Sequence, residues 1–397
     1  MTRFDSVESW VKQHQAERHH VIFGLAAILV ALLFVVAQLA GCFLVPTGSA
    51  QETTTPGGGT SPAQTSSGQT GLDPTESGDP AENLQLIDYF PLTPDVFLDY
   101  DGTGNEYVPM TVWVEYVTDE TIQMSYDNGG TEVHRLYRIS EGQVRQIASL
   151  PELYVREDLS LREPDEAGEV LLQAPLMAGT SWTLNDGRIR RISALDVPVT
   201  TPAGDFSALE VTTDSDSGVM KQYYAPGVGL VQMTFTGDYE ISQVLRKRLV
   251  PRYRSVPMTF YYGRLTARDS EMVSKTIDAE FRTNIGIREV LTRYFREPAA
   301  PDLPPLISQN TVINDVRLDP VMGVVTIDFS PELVTEMNAG STFEALVIRS
   351  IVNTVGMAYG VEQVAITLDQ RPYESGHIAI GPGEYFGVDL DGVIQLP

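Results

Sequence analysis

Cysteine is almost missing from this chain. Cys42 is the only one in 397 residues, so no intrachain disulfide can form. Cys-based zinc fingers and all-cysteine iron–sulfur sites are excluded with it. Histidine is scarce too: His14, His19, His20, His134 and His377. Three of the five fall in the N-terminal stretch, so a metal site built from several histidines has almost no donors. No metal and no cofactor is expected. Positive charge is the third shortage, with 27 Lys and Arg against 53 Asp and Glu and a net charge of −26. Non-specific nucleic-acid binding needs a cationic surface, so a nucleic-acid partner is not expected. Catalytic signatures are also lacking. There is no Gly-x-Ser-x-Gly elbow and no P-loop. Gly381-x-Gly383-x-x-x-Gly387 misses the dinucleotide-binding spacing.

What the N-terminus does have is a long apolar run. Residues 1–20 are polar and carry Arg3, Lys12 and Arg18. Residues 21–39 are then nearly all apolar, long enough to cross a bilayer as a helix. No Lys or Arg follows Arg18 until Arg135. The positive-inside rule therefore places residues 1–20 in the cytoplasm and the rest outside. The run ends in Leu39-Ala40-Gly41-Cys42, which resembles the bacterial lipobox, where a peptidase cuts before a cysteine that is lipidated. Cys42 is thus a lipidation candidate at the end of a signal peptide. The competing reading is a plain transmembrane helix in which Cys42 is a small apolar residue. It draws on the long polar segment before the run and on apolar Phe43-Leu44-Val45 after it. Both readings put the protein on the cell membrane, facing the extracytoplasmic side.

Four segments follow from composition. Residues 1–45 are the n-region and membrane segment. Residues 46–84 are a Gly, Ser, Thr and Pro linker that cannot bury enough surface to repay its ordering entropy. Residues 85–250 show short alternating runs between turn signals, at 111–116, 121–126, 133–139, 188–195, 197–200, 206–213, 219–224, 230–235 and 240–245. Helical periodicity is lacking between them, so an antiparallel all-β domain, curled or sandwiched, is expected. Pro175-Leu176 with Gly179-Thr180-Ser181-Trp182, and the run from Tyr223 to Val231, resemble segments of exported bacterial lipoproteins. Residues 255–397 read as α+β. A strand ends in Phe260-Tyr261-Tyr262, and residues 272–281 are mostly extended. Ile287, Val290, Leu291 and Tyr294 repeat at helical spacing until Pro298 stops them. Strands follow at 311–318 and 325–329. Ser341-Thr342-Phe343-Glu344 reads as a capping box opening a long helix that Gly360 ends. A last strand covers 361–368. The order is β-(β)-α-β-β-α-β, which packs as two helices on one face of a small sheet. Asp391-Gly392 reads as a type I′ turn of a C-terminal hairpin.

The acidic all-β segment, with 12 basic and 26 acidic residues over 86–250, offers one weak calcium candidate. Asp99, Asp101, Thr103 and Asn105 have the opening spacing of an EF-hand loop, with Gly104 at the sixth position. The twelfth position is Met110, not the bidentate glutamate that completes the cage. Arg246, Lys247, Arg248, Arg252 and Arg254 cluster within nine residues. They read as a solvated connector or as a contact for an anionic partner. Asn353, inside the long helix, reads as a partner contact or as a structural hydrogen bond to a loop backbone. His134 alternates with polar positions in a strand and is expected to face solvent. Ser375 and His377 are too close in sequence to act as nucleophile and base. No particular pair of carboxylates stands out for glycoside hydrolysis.

The C-terminal segment resembles the GerMN domain of sporulation and spore-germination lipoproteins. The resemblance rests on Phe260-Tyr261-Tyr262, Val290-Leu291 and Leu306-Ile307-Ser308. It continues through the run Val324 to Ser330, then Ile351-Val352-Asn353-Thr354-Val355 and Val361-x-x-Val364. It covers about 130 residues, and the stretch 268–282 departs from the pattern. The topology resembles that of ring-building modules in secretion-type assemblies. The resemblance implies a non-catalytic binding or assembly role in an envelope or sporulation protein complex of an endospore-forming bacterium. Two other readings stay open: a carrier whose curled β sheet holds an apolar ligand or lipid, and a cell-wall hydrolase or its regulator. The carrier predicts a cavity lined by apolar residues. The hydrolase predicts a groove with two opposed carboxylates.

Overall fold

The computed structural model describes residues 84–152, 154–266 and 269–397. The apolar run at 21–39, Cys42 and the linker lie outside the described residues. Among those described, no helix is long and apolar enough to cross a membrane. Gln85–Trp182 and Ile189–Pro397 form one compact unit. Thr183–Arg188 is a tight turn described by itself, in which Leu184 donates to the Arg188 carbonyl over 2.8 Å.

Twelve antiparallel strands build the N-terminal part of the unit. They are β1 (Phe97–Thr103), β2 (Met110–Val117), β3 (Thr121–Asp127), β4 (Glu132–Ser140), β5 (Gln143–Pro151), β6 (Val170–Gln173), β7 (Ser181–Thr183), β8 (Ile189–Thr201), β9 (Gly204–Ser215), β10 (Gly218–Ala225), β11 (Gly229–Gly237) and β12 (Glu240–Leu249). Two meanders, β1–β6 and β7–β12, join through β1 and β12. The sheet curls into a near-barrel. β8 touches β11 and β12 across it. The ends approach through side chains rather than a ladder. Arg190 on β8 donates to the Val170 carbonyl on β6 over 2.9 Å and to Glu169 over 2.6 Å. The alternating runs read from the sequence are strands. β1, which holds the calcium candidate, and β5–β7 are not among the runs predicted as strands.

Closure explains why His134 is buried rather than solvent-facing. An open sheet wets one face, whereas a curled sheet docked on a second layer covers both. The barrel interior is aromatic. Tyr137 donates its hydroxyl to Tyr126 over 2.9 Å, and Tyr100 donates to the Leu230 carbonyl over 2.9 Å. The Arg135 guanidinium lies 4.9 Å from the Tyr126 ring centre.

The C-terminal part begins with a long hairpin, β13 (Arg254–Leu265) and β14 (Ser270–Phe281), followed by α1 (Ile287–Arg296). Then come β15 (Ile313–Asp319), β16 (Val324–Phe329), α2 (Ser341–Tyr359) and β17 (Gln363–Leu368). The expected element order holds, but the expected single sheet is two. Strands β15, β16 and β17 continue into β18 (Arg371–Pro372), and the β13–β14 hairpin forms its own sheet. Helix α2 packs on both sheets and covers the free edge of β13. The Thr354 hydroxyl accepts from the Tyr261 amide over 3.0 Å, and the Ser350 hydroxyl from the Gly263 amide over 2.9 Å. Two edge amides that would otherwise be orphaned are thereby satisfied.

The approach is close because β13 carries glycine there. A Cβ on Gly263 would stand 2.5 Å from the Leu346 Cβ, an atom fixed by the helix backbone. Gly263→Ala must push α2 off the strand, so urea unfolding is expected to show a loss of about 1–3 kcal/mol. An unchanged midpoint would contradict this packing.

Two further readings need correction. The N-cap of α2 is Gly340 with no side-chain cap, and Ser341 is already helical. Glu344 is not free to complete a capping box, because the Tyr373, Ser375 and His377 side chains occupy it. The residues on either side of Asp391-Gly392 do not pair with each other as a hairpin, and the local antiparallel bridge in this region joins Glu374 and Ala379. β19 (Phe386–Gly387) pairs with β17, and β20 (Ile394–Gln395) pairs with β14. The tail thus ties the two small sheets together.

Candidate functional site

The most concentrated buried charge in the described residues sits where β13 leaves the large sheet. Glu115 on β2 is fully buried, and Glu132 and His134 on β4 are buried with it. Strand periodicity puts Glu132 and His134, two apart, on the same face of β4. In the ladder Ser125 on β3 lies opposite His134. The His134 Nδ1 donates to Glu115 Oε2 over 2.8 Å. Its Nε2 lies 3.3 Å from Glu132 Oε1 without hydrogen-bond alignment. Arg254, the first residue of β13, closes the group with a bidentate contact to Glu132, at 2.5 Å and 3.0 Å. Its Nη1 stands 3.9 Å from Glu115 Oε1.

Neighbouring side chains fix the carboxylates. Gln123 on β3 donates to Glu115 Oε2 over 2.9 Å and accepts from the Leu159 amide over 2.8 Å. Arg156 reaches the Glu115 carbonyl and, over 2.8 Å, the Arg282 carbonyl. Burial pulls the His134 pKa down, but the hydrogen bond to Glu115 and the nearby carboxylates of Glu115 and Glu132 outweigh it and raise it to about 9. Burial pushes Glu132 up, but His134 and Arg254 outweigh it and lower it to about 2. At neutral pH a protonated His134 and Arg254 therefore face the Glu132 carboxylate. A cleft of about 220 Å³, lined by these residues and by Arg156, Met258 and Phe281, gives access from solvent.

This constellation was missed in the sequence. Its members are spread over 140 positions, and only the strand register brings them together. The Glu132-x-His134 spacing was the single local signal, and it was outweighed by the polar neighbours of His134.

The predicted site residues are placed as follows. Cys42 lies outside the described residues. Asp99 and Asp101 lie on β1, and both face Arg246 of β12, which donates to Asp99 from Nε over 3.1 Å and approaches Asp101 to 3.4 Å. Thr103 ends β1 opposite Ser242, and Asn105 Oδ1 accepts from the Tyr107 amide over 2.9 Å. The basic cluster disperses. Arg246 pairs with Asp99, Arg248 lines a cleft in the near-barrel, and Arg254 enters the buried cluster. Lys247 and Arg252 are exposed. Asn353 is fully buried. It donates to the Asp389 carbonyl over 2.6 Å and accepts from the Asp389 amide over 2.9 Å, holding the tail against α2. Ser375 donates to Glu344 rather than to His377, and His377 Nδ1 contacts Glu344 over 2.8 Å. The group organises a loop on the start of α2 and has no nucleophile–base pair.

Residues 259–374 match the family model described as Germane, sporulation and spore germination. No curated protein matches the chain. Several solved structures are similar at low identity. One is a protein described as exported, with a YmcC-like fold, from Bacteroides fragilis, at 14% identity and TM-score 0.28; the match covers 40% of this chain and 97% of that one. Another is the tandem GerMN domains of the sporulation protein GerM from Bacillus subtilis, at 16% identity and TM-score 0.28; it covers 36% of this chain and 47% of that one. A third is a protein described as a lipoprotein from Clostridium perfringens, at 16% identity and TM-score 0.21; it covers 34% of this chain and 87% of that one. The buried charge cluster lies before the segment that matches the Germane model, and residues 259–374 are Germane-like.

Proposed function

We propose that the protein is a non-catalytic binding and assembly component of the bacterial envelope. It acts in sporulation or spore germination and is held at the outer face of the membrane by a lipid on Cys42. The observation that carries this reading is the Germane match over residues 259–374. The Leu39-Ala40-Gly41-Cys42 sequence supports the anchor. The partner is an envelope or sporulation protein complex. An available recognition surface supports it. β15 pairs on one side only, with β16. Val312 just before it, and Val321 and Met322 in the following turn, are exposed, Val321 to 92%.

The geometry gives the carrier reading little room. The largely apolar cleft in the near-barrel, lined by Phe90, Leu98, Val112 and Met124, measures about 70 Å³. Ligand pockets usually run to about 300–1,000 Å³. Glu115 and Glu132 do line a common cleft, as a hydrolase would need. His134 and Arg254 hold the Glu132 carboxyl low, at about 2, so Glu132 fits only the ionised role in such a pair and not that of the acid.

Deletion of the gene in the native host tests the proposal. Heat-resistant spore yield or germination should fall, and the full chain should restore it. Normal sporulation and germination in the deletion strain would overturn it.

A further inference from the structure

The buried cluster has more donor atoms than it uses. Glu115 Oε1 and His134 Nε2 are buried and have no hydrogen-bond partner. Buried polar atoms are almost always paired, because leaving them unsatisfied is costly, more so when charged. One ligand atom from each of Glu115, Glu132 and His134 lies within 4.8 Å of the other two. Donors bound to zinc at about 2.1 Å in a tetrahedron stand about 3.4 Å apart. His134 Nε2 and Glu132 Oε1, 3.3 Å apart, already have that separation.

We propose that Glu115, Glu132 and His134 form a binding site for a divalent metal ion of the zinc class. Arg254 holds the cation position in the metal-free state. His134 Nε2 and Glu115 Oε1 are the unpartnered ligand atoms, and the Glu115 carboxylate turns away from His134 Nδ1 to bring Oε1 to the ion. The fourth position opens on the cleft, where water completes the coordination. Histidine with two carboxylates is a borderline-to-hard donor set, suited to Zn²⁺ and Co²⁺. Charge balance permits the exchange. Two carboxylates and a neutral imidazole neutralise one divalent ion, and Arg254, whose side chain is one-quarter exposed, turns out into the cleft. The site lies outside the GerMN-like segment and does not depend on the sporulation reading.

The test is zinc uptake by the full chain in detergent, with residual free metal removed, comparing wild type and His134→Ala. The N-terminal histidines His14, His19 and His20 are common to both, so the difference isolates the site. Wild type should bind one more Zn²⁺, and zinc should raise its thermal midpoint. Glu132→Gln, nearly isosteric, should weaken that binding at least about tenfold. Arg254→Ser should bind zinc at lower concentration than wild type, because a competing cation is gone. Equal uptake by wild type, His134→Ala and Glu132→Gln, with all three folded by near-ultraviolet circular dichroism, would overturn the proposal. So would a loss of zinc binding in Arg254→Ser.

Discussion

His134→Ala should cost about 3–5 kcal/mol of stability in metal-free buffer at pH 6, because it strips one cation from a buried, hydrogen-bonded charge group. Glu115 would lose its 2.8 Å donor, and Glu132 would keep only Arg254. Urea unfolding with a chelator present reads the effect directly. The pH profile of the wild type gives an independent readout. The pKa of His134 is raised in the fold, from 6.5 to about 9. Its contribution is therefore fully present below about pH 6.5 and is lost as pH rises through 9. The pKa of Glu132 is lowered, from 4.5 to about 2. Its contribution is present above about pH 4.5 and is lost as pH falls toward 2. The cluster should therefore stabilise most between about pH 4.5 and 6.5. The decline on the alkaline side should amount to about 3 kcal/mol and should vanish in His134→Ala. A loss below about 1 kcal/mol, or an alkaline limb unchanged in the variant, would contradict the described network.

Phe260→Ala is expected to cost about 3–5 kcal/mol, the range for removing a buried aromatic that neighbours cannot replace. Phe260 is fully buried on β13. Its ring centre lies 4.8 Å from that of Tyr294 and 6.3 Å from that of Phe295, the latter edge-on at 84°. These contacts fasten α1 to the hairpin, so hydrogen exchange should accelerate in both. A variant as stable as wild type would mean that the C-terminal core is organised otherwise.

Much of the fold was legible in the sequence, because periodicity and turn chemistry act locally. The helix over Ile287–Arg296 followed from Val290, Leu291 and Tyr294 and from Pro298 beyond them. The stop of the long helix followed from Gly360, whose φ of +66° is the left-handed C-cap geometry. Strand positions in the near-barrel followed from alternation. β1 was lost because Asp99, Asp101 and Asn105 imitate a calcium loop, while in the fold the two aspartates face Arg246 across the ladder. The candidate site was not legible. Glu115, His134 and Arg254 meet only through sheet register and the docking of a second layer, and neither leaves a mark on spacing. The Asn353 contact was half legible. Its polar character was noted in the sequence, but its partner Asp389 belongs to a tail expected to pair with itself.

Crosslinking at the outer membrane face of sporulating native cells, followed by purification of the tagged full chain, tests the central claim most directly. The account predicts recovery of envelope proteins of the sporulation or germination machinery, and their loss when residues 255–397 are removed. Recovery of the same proteins without that segment, or of lipid alone with the full chain, would contradict it.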